Sequence, residues 1–366
     1  MPKQFSIYMN MLRFFAAFVV VISHLDDESL TGSTLIWLRG GIGYGHHAVI
    51  IFFVLSGYFV AQSAERSASF RDYSIARLSR IYSVVLPMIA IVPVLDLIGQ
   101  SAEPSLYNDN LLPTVVDFLL SLTLSNMYWF LDRQYFSNEP YWSISYEVAY
   151  YALFGLWCFS GGLRSRLLTV ALSFVVGPVI MLLFPCWLAG VLLWRYRERL
   201  LVGPRTAVGL FFGSIAVYAA CGAGEVFAAM NWGSELAWRA LGLADLPWKA
   251  SRNWATDYLI TIMVLAHLIG AVSLARLHRL RVDALGSPAQ WLADGSFALY
   301  LFHVPLLLMF GALVGDFRST SAGMVLILTL SVVSAYALAE ISDRRRREWL
   351  AATKRLANWL SVRTRH

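Results

Sequence analysis

Two ionisable residues interrupt the apolar stretch that opens the chain, Arg13 and His24, eleven positions apart. At about 100° per residue, eleven steps make about 1100°, three turns plus about 20°, so on a helix both side chains project from nearly one face, about 16 Å apart along the axis. A guanidinium can hold an anion and an imidazole can accept a proton. Ionisable groups inside a membrane segment are candidates for a functional site by default. The plainer reading is that Arg13 snorkels to headgroups and His24 marks the helix end. Spacing alone divides the two readings evenly.

Two further groupings share this character. Arg77 and Arg80, in Arg77-Leu78-Ser79-Arg80, are i,i+3 neighbours. Paired guanidiniums suit a polyanion such as a nucleotide phosphate, or equally lipid headgroups. In Tyr141-Trp142-Ser143-Ile144-Ser145-Tyr146-Glu147, Ser143 and Glu147 are i,i+4 and share a face. Glu147 then enters an apolar run, so its charge needs a partner. His303, within Leu299-Tyr300-Leu301-Phe302-His303-Val304-Pro305, reads most simply as a satisfied core histidine. His46, His47, His267 and His278 are weaker candidates. Cys158, Cys186 and Cys221 lie in apolar stretches without metal or disulfide spacing. No metal site, phosphate-cradling glycine loop or nucleophile elbow is expected.

The elements that must position these groups are membrane helices. Hydrophobic residues make up 58% of the chain, charged residues 14%, and the mean hydropathy is +0.59. Soluble domains carry about one quarter charged residues, so this surface is built for lipid. The chain reads as an all-α, polytopic transmembrane helix bundle, with crossings near 7–25, 47–62, 81–99, 141–158, 167–181, 183–195, 207–222, 256–275, 293–313 and 322–341. The start resembles a signal peptide until Arg13 and the acidic run after His24, and is expected to stay as the first helix. These ten crossings leave both termini cytoplasmic and put 23 of the 29 Lys and Arg inside; only Arg39, Arg133, Arg239, Lys249, Arg252 and Arg318 fall outside. The basic balance thus reports membrane topology, with no call for nucleic acid.

Residues 111–131 are expected to be a re-entrant or interfacial element, since a further crossing would invert everything downstream. The uncharged stretch 167–194 is expected to be two short helices meeting near Pro185. The loop from about 223 to 255, with four Trp, could lid a site or rest on the interface. Residues 1–343 form the membrane domain. The tail, 344–366, opens on Arg344-Arg345-Arg346-Arg347 and is expected to lie as a helix on the anionic inner leaflet.

Together these groupings resemble the acyltransferase-3 family of membrane O-acyltransferases. The first helix has the family's Arg, ten residues and a His, as Arg13 and His24. Phe52-Phe53-Val54-Leu55-Ser56-Gly57-Tyr58-Phe59 is similar to its next signature. Paired arginines match Arg77 and Arg80, the Trp-Ser-x-x-x-Glu element matches Trp142, Ser143 and Glu147, and Tyr-x-x-His-x-Pro matches Tyr300, His303 and Pro305. Ala48 stands where the family usually has a Gly, which puts one close backbone approach in question.

The resemblance implies transfer of an acyl group, acetyl in the first instance, from cytoplasmic acyl-CoA to a hydroxyl of a glycan or lipid-linked sugar, in a bacterial inner membrane and with no metal. It assigns His24, Arg13, Glu147 and Ser143 to catalysis. His24 would act as general base and Glu147 would orient it. Arg77, Arg80 and Arg13 would bind the acyl-CoA, and Trp142 and His303 the acceptor. Some members carry an additional extracytoplasmic domain; here transfer is expected to finish within the membrane domain. A glycan or lipid-linked sugar transporter is the competing class, although no inverted repeat supports it.

Overall fold

A computed structural model describes residues 2–25, 30, 43–107, 114–277 and 285–363. His278 and Arg39 lie outside the described residues. The elements are helices: α1 (Lys3–Leu25), α2 (Tyr44–Ala64), α3 (Phe70–Ala102), α4 (Val115–Leu122), α5 (Trp142–Phe159), α6 (Gly162–Val176), α7 (Pro178–Arg195), α8 (Pro204–Ala223), α9 (Val226–Ala240), α10 (Trp254–Leu277), α11 (Gly286–Asp294), α12 (Ser296–Val314), α13 (Ser321–Ala339) and α14 (Arg346–Arg363). There is no β-strand among the described residues. Eight of the helices, α1, α2, α3, α7, α8, α10, α12 and α13, are long and apolar enough to cross a membrane. The chain is an integral membrane helix bundle.

Burial separates inner helices from outer ones. Of the most apolar stretch of α12, 72% is buried, against 11% for α8. A helix that is apolar all round belongs in the middle of the bundle, and α12 packs there between α1, α3 and α13. The lipid-facing α8 lies along α10.

The α2–α7 pair meets backbone to backbone. A Cβ on Gly57 would stand 2.0 Å from the Trp187 carbonyl oxygen, and one on Gly190 would stand 1.9 Å from that of Val54. Small residues allow this approach where no hydrophobic effect drives helices together. On α1 and α2 the corresponding close point is Gly45, whose Cβ would meet Ser23 Oγ at 2.1 Å. Ala48 therefore does not cost the fold its tight contacts. Gly190→Val should force α2 and α7 apart, at about 1–3 kcal/mol or more for overpacking. Reduced monodisperse yield in detergent and a lower melting temperature would show it; a melting curve like that of the wild type would mean the contact is not tight.

Two expectations shift. Helix α3 starts at Phe70, well before 81, because Ser69 Oγ accepts from the Asp72 amide at 3.1 Å and caps it there. At about 1.5 Å per residue its 33 residues run about 50 Å, so Arg77 and Arg80 sit inside the helix. The break in 167–194 falls at Gly177-Pro178 rather than Pro185: Gly177 has φ +84°, Pro178 occupies the first turn of α7, and Pro185 lies within that helix. Within the expected re-entrant or interfacial stretch, of which 111–113 lie outside the described residues, residues 115–122 make a helix about 12 Å long, too short to span, and the chain turns immediately after it.

Outside the spans, Arg318 grips Glu103 with two guanidinium nitrogens and joins the end of α3 to the turn after α12. Hydrogen bonding to that guanidinium holds the Glu103 carboxyl below its ordinary range.

Candidate active site

Helix α1 delivers Arg13 and His24 to two different cavities. The larger, about 1550 Å³, is lined by His24, Trp142, His46 and Glu139 among others; the smaller, about 370 Å³, is lined by Arg13, Ser143 and Glu147. Val49 and Tyr300 line both and so form the wall between them. The Tyr300 hydroxyl is held at 2.8 Å from Ser143 Oγ and 3.1 Å from the Pro140 carbonyl.

On the His24 side, Nδ1 lies 3.8 Å from the Glu139 carboxylate, and the ring centroid is 5.0 Å from that of His303. His303 is fully buried and lines neither cavity; it stands behind His24 instead of facing the larger cavity. Its Nδ1 donates to the Tyr300 carbonyl at 2.6 Å, which leaves Nε2 unprotonated and without a hydrogen-bond partner among the described residues. A satisfied core histidine it is not. Two residues on, Pro305 has no N–H for the Leu301 carbonyl, and Asn138 Nδ2 donates to that oxygen at 2.9 Å. The late Tyr-x-x-His-x-Pro pattern thus anchors the 137–141 loop that carries Glu139 and Pro140.

Glu147 is not placed against His24. Ser143, Glu147 and Tyr151 recur every fourth residue along α5, and all three line the smaller cavity. Glu147 Oε1 accepts from Ser56 Oγ at 2.7 Å and from the Tyr151 hydroxyl. Trp187 Nε1 in turn donates to Ser56 Oγ at 3.2 Å. These donors are the partners of a carboxyl that is half-buried in the bundle. The carboxylate beside His24 is Glu139, in a loop whose sequence carries no periodic signal.

Around Glu147 stand five arginines, Arg13, Arg66, Arg77, Arg80 and Arg346. Arg77 is buried; its Nη2 donates to Ser63 Oγ at 3.0 Å, its guanidinium lies 5.8 Å from the centre of the Tyr151 ring, and its Nε has no partner among the described residues. Arg80 sits 5.6 Å from the Phe297 ring centre. Neither Arg13 nor Arg80 makes a hydrogen bond or ion pair with a described residue. Five cations line this small space with Glu147, and Arg13, Arg80 and Arg346 are also acted on by the buried Asp343 carboxylate, which still leaves an excess of donors for a polyphosphate. Arg66 and Arg346 escaped the sequence reading, Arg346 because it belongs to a run read as leaflet-binding.

The larger cavity has further polar groups. His46 Nε2 is 2.9 Å from Oδ1 of the wholly buried Asp257, and the His46 ring stacks on Trp142 with centroids 6.0 Å apart. His47 Nδ1 is 3.0 Å from the Tyr218 hydroxyl, and His267 bonds Tyr8. From the 223–255 segment, Lys249 reaches the rim and pairs with Asp132, while Trp238 and Trp248 stack at 4.0 Å. No group of three or more metal-ligating side chains occurs among the described residues.

An arginine-lined chamber thus backs onto a histidine-lined one within a membrane helix bundle. A model of an acyltransferase domain, that of the acyltransferase-3 family, matches residues 6–340, and the chain belongs to that family. Similar proteins include acyltransferase MdmB of Streptomyces mycarofaciens, 31% identical over 153 residues, which cover 40% of this chain and 37% of that protein. Another is an O-acetyl transferase of Shigella phage Sf6, 41% identical over 75 residues, 20% of this chain and 22% of that one. The chain thus spans well under half the length of these relatives. No solved structure matches.

Proposed function

We propose that the protein transfers an acyl group, acetyl in the first instance, from acyl-CoA to a hydroxyl of a glycan or lipid-linked sugar, in a bacterial inner membrane. The observation that carries this reading is the partition of α1. Arg13 stands among cations in one chamber, His24 stands in the other, and Val49 and Tyr300 line both.

The donor's phosphates enter from the cytoplasm and lie among Arg13, Arg77 and Arg80. Its pantetheine arm, long enough to cover much of the about 16 Å between Arg13 and His24, carries the thioester past Tyr300. His24 takes the proton from the acceptor hydroxyl as the oxygen attacks the thioester carbonyl. The C–S bond breaks, and the proton leaves with the CoA thiolate. Glu139 and His303 hold the His24 ring in place, and Trp142 offers the acceptor an aromatic wall. Both relatives being named as acyl or acetyl transferases supports the reaction class.

Purified protein incubated with acetyl-labelled acetyl-CoA and membrane lipid or glycan extract should release CoA and label the acceptor. A glycan transporter would use the larger cavity alone and would neither bind nor consume acetyl-CoA. That result would end the proposal.

A further inference from the structure

The four consecutive arginines after α13 are not equivalent. Arg344 is turned inward: its guanidinium lies 4.1 Å from the centre of the Trp291 ring, pairs with Glu340 and donates to the Trp291 carbonyl at 3.2 Å. Arg345 donates to the Glu340 carbonyl at 3.2 Å and stands 3.5 Å from Glu348. Arg347 is exposed, with no hydrogen bond or ion pair to a described residue. Arg346 lines the small arginine chamber, and because it is itself exposed it stands at that chamber's opening.

Helix α14, which Arg346 begins, lies along α3, the helix that carries Arg77 and Arg80. At its far end Asn358 Oδ1 accepts from Arg71 Nη2 at 2.6 Å. A helix serving only the leaflet surface has no reason to direct its first side chain into this chamber. Seating Arg346 there brings it under the like charge of Arg77 and Arg80. An anion in the chamber removes that repulsion, so helix docking and anion binding favour each other.

Resting on the acyl-CoA reading above, we infer that α14 is part of the donor site, a clamp whose Arg346 closes over the phosphates of the donor. The helix lies just beyond residues 6–340, the stretch that the family model matches. The chemistry recognised is a cluster of phosphate oxygens, which a soluble CoA and an anionic lipid headgroup both offer.

Titration of the full chain with CoA, in phosphatidylcholine nanodiscs and again with phosphatidylglycerol added, separates these sources. R346Q should weaken CoA binding about tenfold or more, the value of a charge-assisted contact, R346K should recover part of the loss, and R347Q should stay within about twofold of wild type. CoA should also slow hydrogen exchange in 346–363 of the wild type but not of R346Q. Equal CoA affinity in R346Q and R347Q, with R80Q weakened, would overturn the clamp and leave the donor reading standing. No CoA binding by the wild type would remove both. Displacement of CoA by phosphatidylglycerol that R346Q abolishes would make Arg346 a headgroup ligand and overturn the clamp.

Discussion

Alanine at position 24 is expected to cut acceptor acylation by about 10² to 10⁴, the usual contribution of a positioned general base, with CoA binding and membrane insertion unchanged. The separation of chambers makes this combination specific. His24 lies on the larger cavity's wall with 28% of its side chain exposed, so truncation enlarges a space already open and leaves no void in a packed core. The phosphates' arginines belong to the other chamber. A structural role for His24 would lower folded yield and activity together; a base lowers activity alone. Mass spectrometry of surface glycans from cells carrying the variant reads the outcome as loss of one acyl mass per repeat. Acylation at the wild-type level would dismiss His24 as the base.

His303 sharpens that expectation. A buried imidazole with a bare Nε2 beside a second imidazole is retained for some purpose other than packing, because an unsatisfied buried acceptor destabilises. Since it lines neither cavity, its expected role is that of a positioning residue behind His24. His303→Ala should therefore lower turnover less than His24→Ala does, without raising KM for the donor.

The sequence foretold the type of fold and the face of α1 because both are local properties. Apolar runs without charges must be membrane helices, and eleven residues return a helix to nearly the same face whatever surrounds it. The i,i+3 and i,i+4 relations of Arg77 with Arg80 and of Ser143 with Glu147 are local in the same sense. What depended on tertiary contact was invisible. Glu147 could be assigned a face but not a partner, and that face meets Ser56 of α2 rather than His24. Glu139 opens a single 3-10 turn, Glu139–Tyr141, fixed by Asn138 on the Leu301 carbonyl, a contact 163 positions apart. Arg346 was hidden in a run of like residues, and only helix packing assigns each arginine its separate contact. Gly177 and Pro185 show the same limit at the level of the backbone: either could break a helix, and Pro185 is carried within one.

Replacing Arg77 and Arg80 together by Gln is expected to raise KM for acetyl-CoA at least about a hundredfold, since two charge-assisted contacts of about 1.5–3 kcal/mol each are removed. Turnover at saturating donor should fall much less than KM rises, as the base and the acceptor cavity are intact; that split distinguishes a binding defect from a misfolded site. The single variants should differ in kind. Arg80 faces the chamber with the Phe297 ring 5.6 Å from its guanidinium and the buried Asp343 carboxylate close enough to act on it, so R80Q loses ligand contact and one counter-charge to Asp343. Arg77 is buried against Ser63 and Tyr151, and Tyr151 donates to Glu147, so R77Q also loosens the carboxylate at the chamber's centre. Lysine at 77 keeps the charge but not the planar fork that reaches Ser63 and a phosphate at once, and should rescue less than lysine at 80. Steady-state kinetics in detergent at two salt concentrations would test this, because loss of phosphate contacts must also flatten the salt dependence of KM. An unchanged KM in the double variant would return these arginines to the role the sequence left open for them, anchors for lipid headgroups.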